Sequence, residues 1–373
     1  MHKFFTSSYD ASVYLQQPDQ NAGRDEILEV GKLYYGSTKD IARALIKFNI
    51  SQISSSIVEN NVTSSWKMFL NLKAANSEEI PLEYTIYADA ISGSWTMGTG
   101  TKFDNITTDG VSWKYRNGTN KWLPYNTTAG GANYVNTGTT GSANGEGGVW
   151  YLSGSASQSF SNEPDDVRMD VTDIVKLWIS GSIVNNGFIL HHSLQNEFDS
   201  NGITNTTDYG VLKFFSKETN TIYEPKLELV WDDSSFSTGS LSPITGSINS
   251  DILENSKIIV SNLQSEYFEN TKTKIRVKGR DMFPAKSFST TFEYDQSKYL
   301  PTSSYYQIED YITGEIIVPF GDYSKLSCDS KSNYFYLDTS SYSTDRFYKL
   351  KIKIISENTT KIIDDKLIFK ITK

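Results

Sequence analysis

Apolar side chains recur at every second residue along much of this chain, and that alternation restricts it to half-buried strands. Ala44, Ile46, Phe48 and Ile50 share one face of a predicted strand, and Trp66, Met68, Leu70 and Leu72 share a face of the next. The same period appears at Leu82, Tyr84 and Ile86, and at Leu227, Leu229 and Trp231. Clusters of Asn, Gly, Ser and Thr between the runs supply turn chemistry. The pattern predicts an all-β chain whose first part is a jelly-roll-like β-sandwich.

One segment departs from it. Val171, Ile174, Val175 and Trp178 fall at i, i+3, i+4 and i+7, with Asp170 and Thr172 as caps at the start and Gly181 after them. This spacing predicts one short helix packed on the sandwich. Residues 126–148 hold seven glycines amid Thr, Asn, Ser and Ala, with little to bury, and read as a long surface loop.

After Trp231 the run Asp232-Asp233-Ser234-Ser235-Phe236-Ser237-Thr238-Gly239-Ser240-Leu241-Ser242-Pro243 loses all periodicity and fills with small polar residues, as linkers do. The expected division is therefore a sandwich over 1–232, a linker over 233–250 and a second domain over 251–373. Alternation returns in that last part at Ile275 and Val277, Phe288 and Phe292, Ile316 and Val318, Leu350, Ile352 and Ile354, and Leu367, Phe369 and Ile371. Strands at such spacing suit a smaller, immunoglobulin-like β-sandwich. No short fixed repeat is evident, which argues against a solenoid.

Composition narrows the function classes. Aromatic residues make up 13% and hydrophobic residues 38% of the 373, enough to build cores and too much for a disordered chain. No apolar run approaches the ~20 residues needed to cross a bilayer, so membrane insertion is not expected. The segment Met1 to Asp10 has one Lys but no apolar stretch and no small-residue cleavage site, which does not read as a signal peptide and points to synthesis in a cytoplasm. The single cysteine, Cys328, leaves no intrachain disulfide and no cysteine zinc cage. Residues 251–373 carry 18 Lys and Arg against 17 Asp and Glu, which leaves 17 against 27 for residues 1–250. An acidic first part repels phosphate backbones and the second part shows no basic excess, so nucleic acid is not an expected partner.

Catalytic constellations are not evident. His2 stands near the N-terminus, while His191 and His192 are adjacent on a predicted strand, point to opposite faces and cannot clamp one metal together. They read as ordinary surface or partly buried histidines. The chain contains no Gly-x-Ser-x-Gly, no Walker loop and no His-Glu-x-x-His. Paired carboxylates carry no sequence signature, but two predicted sandwiches leave no catalytic domain, and the expectation is a protein that is not an enzyme.

Trp95, Trp113, Trp122, Tyr125, Tyr134 and Trp150 gather around the Gly-rich stretch, and flat aromatic faces are what sugar CH groups stack on. Trp95 and Trp113 fit a core role better. Trp122, Tyr125, Tyr134 and Trp150 are the candidate carbohydrate-binding residues. Asp104-Asn105 with Asp109-Gly110, and Asp199-Ser200-Asn201-Gly202, offer oxygen ligands on turns without EF-hand spacing. Asx turns account for them, so no cofactor is expected, structural calcium being the one ion the pattern leaves open. Asn-x-Ser/Thr triplets at Asn61, Asn105, Asn117 and Asn126 reflect the abundance of Asn and Thr rather than glycosylation.

The first part resembles the DNRLRE, or disaggregatase-related-repeat, family of β-sandwich modules, which are grouped with carbohydrate-binding modules. The resemblance is carried by Asp10-Ala11-Ser12-Val13, Pro18-Asp19-Gln20-Asn21-Ala22-Gly23, Arg43-Ala44-Leu45-Ile46-Lys47-Phe48, Trp95, and Val111-Ser112-Trp113. It continues through Asp170-Val171-Thr172-Asp173-Ile174-Val175, Trp178, Asn186-Gly187-Phe188, Phe215-Ser216-Lys217-Glu218 and Pro225-Lys226-Leu227, spanning roughly residues 9–231 in family order. Ala22 replaces the family's aromatic before the glycine, and Ser112 its Thr before the tryptophan. The remainder, at Lys298-Tyr299-Leu300-Pro301-Thr302-Ser303-Ser304-Tyr305-Tyr306, Ser327-Cys328-Asp329-Ser330 and Asp364-Asp365-Lys366-Leu367-Ile368-Phe369-Lys370, looks like the C-terminal portion of structural proteins of marine tailed bacteriophages.

These resemblances imply a virion structural protein located in the capsid, neck or tail, which docks on other virion proteins and assembles as a homo-oligomer or in multiple copies. The alternative they imply is a glycan-binding adhesion module of a fibre or decoration, with a surface glycan as partner. A polysaccharide-active enzyme is the third reading.

Overall fold

The computed structural model describes residues 1–35, 38–62, 65–122, 134–136, 146–161, 166–193, 197, 206–244, 256–283, 297–356 and 359–373. These divide into two compact units, one formed by Phe4–Asn61 and Lys67–Leu229 and the other by Val230–Lys373 with Met1–Lys3 and Val62–Trp66. Both are built of antiparallel-rich sheets, so the chain is all-β. Among the described residues, no helix is long and apolar enough to cross a membrane.

The first unit contains, in chain order, the Phe4–Thr6 part of β1 (His2–Thr6), then β2 (Tyr9–Tyr14), β3 (Ile27–Tyr35), β4 (Thr38–Lys47), helix α1 (Ile50–Glu59), β5 (Lys67–Leu72), β6 (Ala74–Glu78) and β7 (Glu83–Ile91). It continues with β8 (Tyr134–Asn136), β9 (Val149–Ser161), β10 (Val167–Asp170), helix α2 (Thr172–Ile179), β11 (Phe188–His191), β12 (Gly210–Phe215) and β13 (Lys226–Val230). One sheet has the order β1-β13-β5-β10; the larger runs β6-β12-β3-β4-β11-β7-β9-β8, with β2 also on β4. Strands β2 and β3 share that edge of β4, β3 pairing with Thr38–Ala42 and β2 with Ala42–Lys47.

The predicted alternation is visible in burial in β5, whereas β4 and β13 bury both faces, Arg43 and Leu45 as well as Ala44 and Ile46, and Glu228 as well as Leu227 and Leu229. Ala44, Ile46 and Phe48, then Met68, Leu70 and Leu72, and Leu227 and Leu229 are all buried. Helix α2 packs against β9 and β5, and its Trp178 lies 4.6 Å from the Phe188 ring. The Asp170 carboxylate accepts the Thr172 N–H at 3.1 Å, and Asp173 places a negative charge in the first turn. Ile50, expected on a strand face, instead opens α1. The side chain of Asn49 accepts the Ser51 N–H, which ends the extended run and caps a helix whose Ile53 is buried. Tyr134–Asn136, expected in a surface loop, forms strand β8 against β9, and Gly147 and Gly148 are buried.

The second unit holds β14 (Ser242–Pro243), β15 (Ser256–Ser261), β16 (Glu266–Phe268), β17 (Lys272–Asp281), β18 (Lys298–Tyr299) and β19 (Ser304–Asp310). After these come β20 (Ile316–Val318), β21 (Ser327–Cys328), β22 (Asn333–Asp338), β23 (Arg346–Ile355) and β24 (Thr360–Thr372). One sheet is ordered β14-β18-β17-β22-β21 with β15 also on β17, and the other β16-β24-β23-β19-β20. Their inner faces meet in one core, where Ile275, Val277, Phe335 and Leu337 pack with Tyr306, Ile308, Leu350, Ile352, Phe369 and Ile371. Tyr306 and Phe335 stack across it at 4.2 Å. Part of the expected linker belongs to this body: Ser242 and Pro243 pair in parallel with Lys298 and Tyr299, and Ile244 joins the core. Gly279 makes room for it, since a Cβ there would lie 2.1 Å from Ile244 Cδ1. Phe288 and Phe292 lie outside the described residues.

Candidate functional site

Register places Trp150 on one face of the larger sheet. Ile189 stands opposite both Leu45 and Asp89, and Trp150 opposite Ile91. Leu45, Ile91, Trp150 and Ile189 join Trp95, Val111, Trp113 and Trp122 in a single buried cluster. The indole N–H of Trp95 donates to Asn186 O at 2.7 Å and that of Trp122 to Ser112 O at 3.1 Å. Trp122 and Trp150 are 1% and 3% exposed, so neither offers a ring to a sugar. The segment from Trp95 to Trp122 uses its indoles to cover an otherwise bare sheet face, which is the physical reason this expectation fails for both. Tyr125 lies outside the described residues; Tyr134 begins β8, and its side chain is likewise outside them.

The same cluster encloses charges. Arg43 is fully buried with its guanidinium 4.8 Å from the Trp113 ring and 5.6 Å from the Trp150 ring. It donates to Gly147 O at 2.8 Å and forms a bidentate ion pair with the equally buried Glu197. Gly147 has φ +80°, and a Cβ there would lie 2.5 Å from Arg43 Nη1, so only glycine closes this contact. His191 stacks on Trp150 at 4.2 Å with Nε2 2.8 Å from Asp89 Oδ2. His192 is also buried, and burial pushes its ring down to about 3, which keeps it neutral. The expectation of surface or partly buried histidines is thereby corrected to full burial at both positions. Arg43 and Glu197, tied to Gly147 O and the Trp113 ring, form a matched buried ion pair suited to holding the segment after β7 on the sheet.

Turn carboxylates behave as local braces. Asp109 accepts the Thr99 N–H at 3.0 Å and its hydroxyl at 2.6 Å, and Asp104 accepts the Thr101 hydroxyl at 2.6 Å. Asp199 to Gly202 lie outside the described residues.

A surface feature with functional content lies in the second unit, where the turn from β19 to β20 displays apolar side chains. Asp310 is buried and builds that turn: one oxygen accepts the N–H groups of Ile312 and Thr313, both at 2.9 Å, and the other accepts Arg346 Nε at 2.6 Å. Burial raises the Asp310 carboxyl, but these donors outweigh it and hold the group below the usual carboxylate range. Gly314, at φ +73°, closes the turn by donating to Asp310 O at 2.9 Å. The result is a fixed tip on which Tyr311 and Ile312 are 53% and 70% exposed. Tyr311 N–H donates to Phe347 O at 2.9 Å, placing exposed Phe347 beside it.

Ile316 completes the group through a bulge. Ile308 faces Val318, but its neighbour Glu309 faces Ile316, so the register slips by one residue. Val318 stays in the core and Ile316 turns outward. Alternation alone had placed Ile316 and Val318 on one inner face. Ion pairs of Lys349 with Asp364 at 2.5 Å and Lys351 with Glu309 at 2.7 Å border the patch. An apolar centre with a charged rim is the anatomy of a protein interface.

No protein-family model matches the chain, and no curated protein matches it. Among solved structures, a DUF4785 family protein from Legionella pneumophila aligns with 10% identity and a TM-score of 0.18, over all of this chain and 62% of that one. The chain thus spans less than two thirds of that protein's length.

Proposed function

We propose that this protein is a non-enzymatic structural component of a tailed-bacteriophage virion, working by docking on other virion proteins in the capsid, neck or tail. The observation that carries docking is the Tyr311, Ile312, Ile316 and Phe347 patch, whose Tyr311 and Ile312 stand on a turn that Asp310 fixes in advance. Covering such side chains is worth roughly 1.5–3 kcal/mol each, and a preformed turn loses little entropy on binding. The virion setting rests on the sequence resemblances of both parts of the chain.

Mass spectrometry of density-purified particles tests the setting. The expected result is this chain in multiple copies per particle. Finding it in infected-cell lysate while it is absent from particles contradicts the proposal.

A further inference from the structure

Strand β17 reads Lys272-Thr273-Lys274-Ile275-Arg276-Val277-Lys278-Gly279-Arg280. Ile275, Val277 and Gly279 turn inward and are buried, so the five cations at alternate positions stand in one row on the outer face of the sheet. The row is roughly 26 Å long at a rise of about 3.3 Å per residue. Strand β22 sets Tyr336 opposite Lys274 and Tyr334 opposite Arg276, and β15 sets Lys257 opposite Arg280.

The row already shows how it receives a carboxylate. Asp329 takes both terminal nitrogens of Arg276 at 2.9 and 3.0 Å and Lys274 Nζ at 2.8 Å. Hydrogen bonds from Arg276 above all hold the Asp329 carboxyl well below the usual range. One acid thus seats itself across two neighbouring cations, and the row extends from there through Lys278 and Arg280 to Lys257.

We propose that this row docks on carboxylates of the acidic first unit in a second copy of the chain. Charge complementarity selects that occupant. Residues 1–250, which include the first unit, carry 27 acids against 17 bases, opposite in sign to the row. Nucleic-acid strands are disfavoured because Lys274 Nζ sits 3.4 Å from the centre of the Tyr334 ring and Lys272 Nζ 5.3 Å from that of Tyr336, covering the faces that bases would stack on. A contact between two different surfaces is head-to-tail, and it propagates into a ring or a filament. The inference rests on the docking reading and names one of its partners.

Sedimentation velocity of the full chain across salt concentrations, with carbodiimide cross-linking of mixed isotope-labelled copies, tests it. Association should weaken at least about tenfold between low and high salt, and cross-links between copies should join Lys272, Lys274 or Lys278 to acids within residues 4–229. The double variant Lys278→Glu/Arg280→Glu should sediment as a monomer while melting within a few degrees of wild type, and Lys278→Gln/Arg280→Gln should fall between them. A chain that stays monomeric at every salt concentration, cross-links confined to single copies, or a monomer that instead binds oligothymidylate each overturns the inference. Should that monomer still be found in purified particles, the docking reading stands and only this partner falls.

Discussion

Asp310 and Arg346 meet at 2.6 Å across the base of a turn, and the Asp310 carboxylate that Arg346 grips is the same one that orders the Ile312 and Thr313 amides. One buried group therefore links core, turn and displayed surface. Asp310→Ala leaves Arg346 and two amides without their acceptor, and should lower stability by about 3 kcal/mol in urea titration. Asp310→Asn, which keeps one acceptor oxygen, should lose less. Equal losses in the two variants would show that the charge-assisted contact with Arg346, which both remove, carries the effect and that the acceptor for the two amides contributes little.

Exposure separates the displayed patch from the tryptophan cluster. Tyr311→Ser or Phe347→Ser should change the unfolding free energy by no more than about 0.5 kcal/mol, as surface substitutions do. Trp122→Ala should cost about 3–5 kcal/mol, because it empties a buried site in the tryptophan cluster. A Trp122→Ala chain of wild-type stability would place that ring outside the core.

Arg43 is held by Glu197, Gly147 O and two indole faces, all matched to a planar fork. Arg43→Lys should therefore destabilise the chain by about 3 kcal/mol, as breaking a buried pair does. Arg43→Met with Glu197→Leu should recover much of that loss, since no ion then remains buried alone. Thermal denaturation of the single and double variants measures this; a double variant as unstable as Arg43→Lys would contradict it.

Two buried groups give the fold opposite pH responses. Burial pushes the Asp10 carboxyl up to about 7 from 3.8, although it accepts the Lys217 N–H at 2.6 Å. Its contribution is complete below about pH 4 and is lost as pH rises through 7, at up to about 1.4 kcal/mol per pH unit. His192, lowered to about 3 from 6.5, contributes above pH 6.5 and loses that contribution as pH falls toward 3. Asp10→Asn should remove the loss on going from pH 4 to 7, and His192→Leu should remove the loss on acidification. Stability measured across pH 3–8 for the three chains checks both signs; parallel curves would contradict them.

Much of the fold was legible because strand period is a strong signal. Ala44, Ile46, Phe48, Met68, Leu70, Leu72, Ile275, Val277, Leu350, Ile352 and Ile354 are buried as their alternation requires, and α2 forms where the spacing changes to 3.6. Helix α1 escaped because Asn49 interrupts an apolar alternation that runs on through Ile50, although the spacing of Ile50, Ile53 and Ile57 carried the helical signal. The candidate surfaces were harder to read. Trp122 and Trp150 look like exposed rings beside a Gly-rich run until register shows a sheet face that needs covering. Ile316 looks inward until a bulge, which leaves no mark in composition, turns it out. Net charge averaged away the β17 row, although its alternation was plain in the residues themselves.

Competition during particle assembly tests the central claim most directly. Host cells supplying wild-type chain and a Tyr311→Ser/Ile312→Ser/Phe347→Ser variant in equal amounts would yield particles in which mass spectrometry counts each form. The account predicts that the variant folds but is depleted at least about tenfold, as the loss of about 1.4 kcal/mol or more of docking energy requires. Equal incorporation of the two forms would contradict docking through this turn.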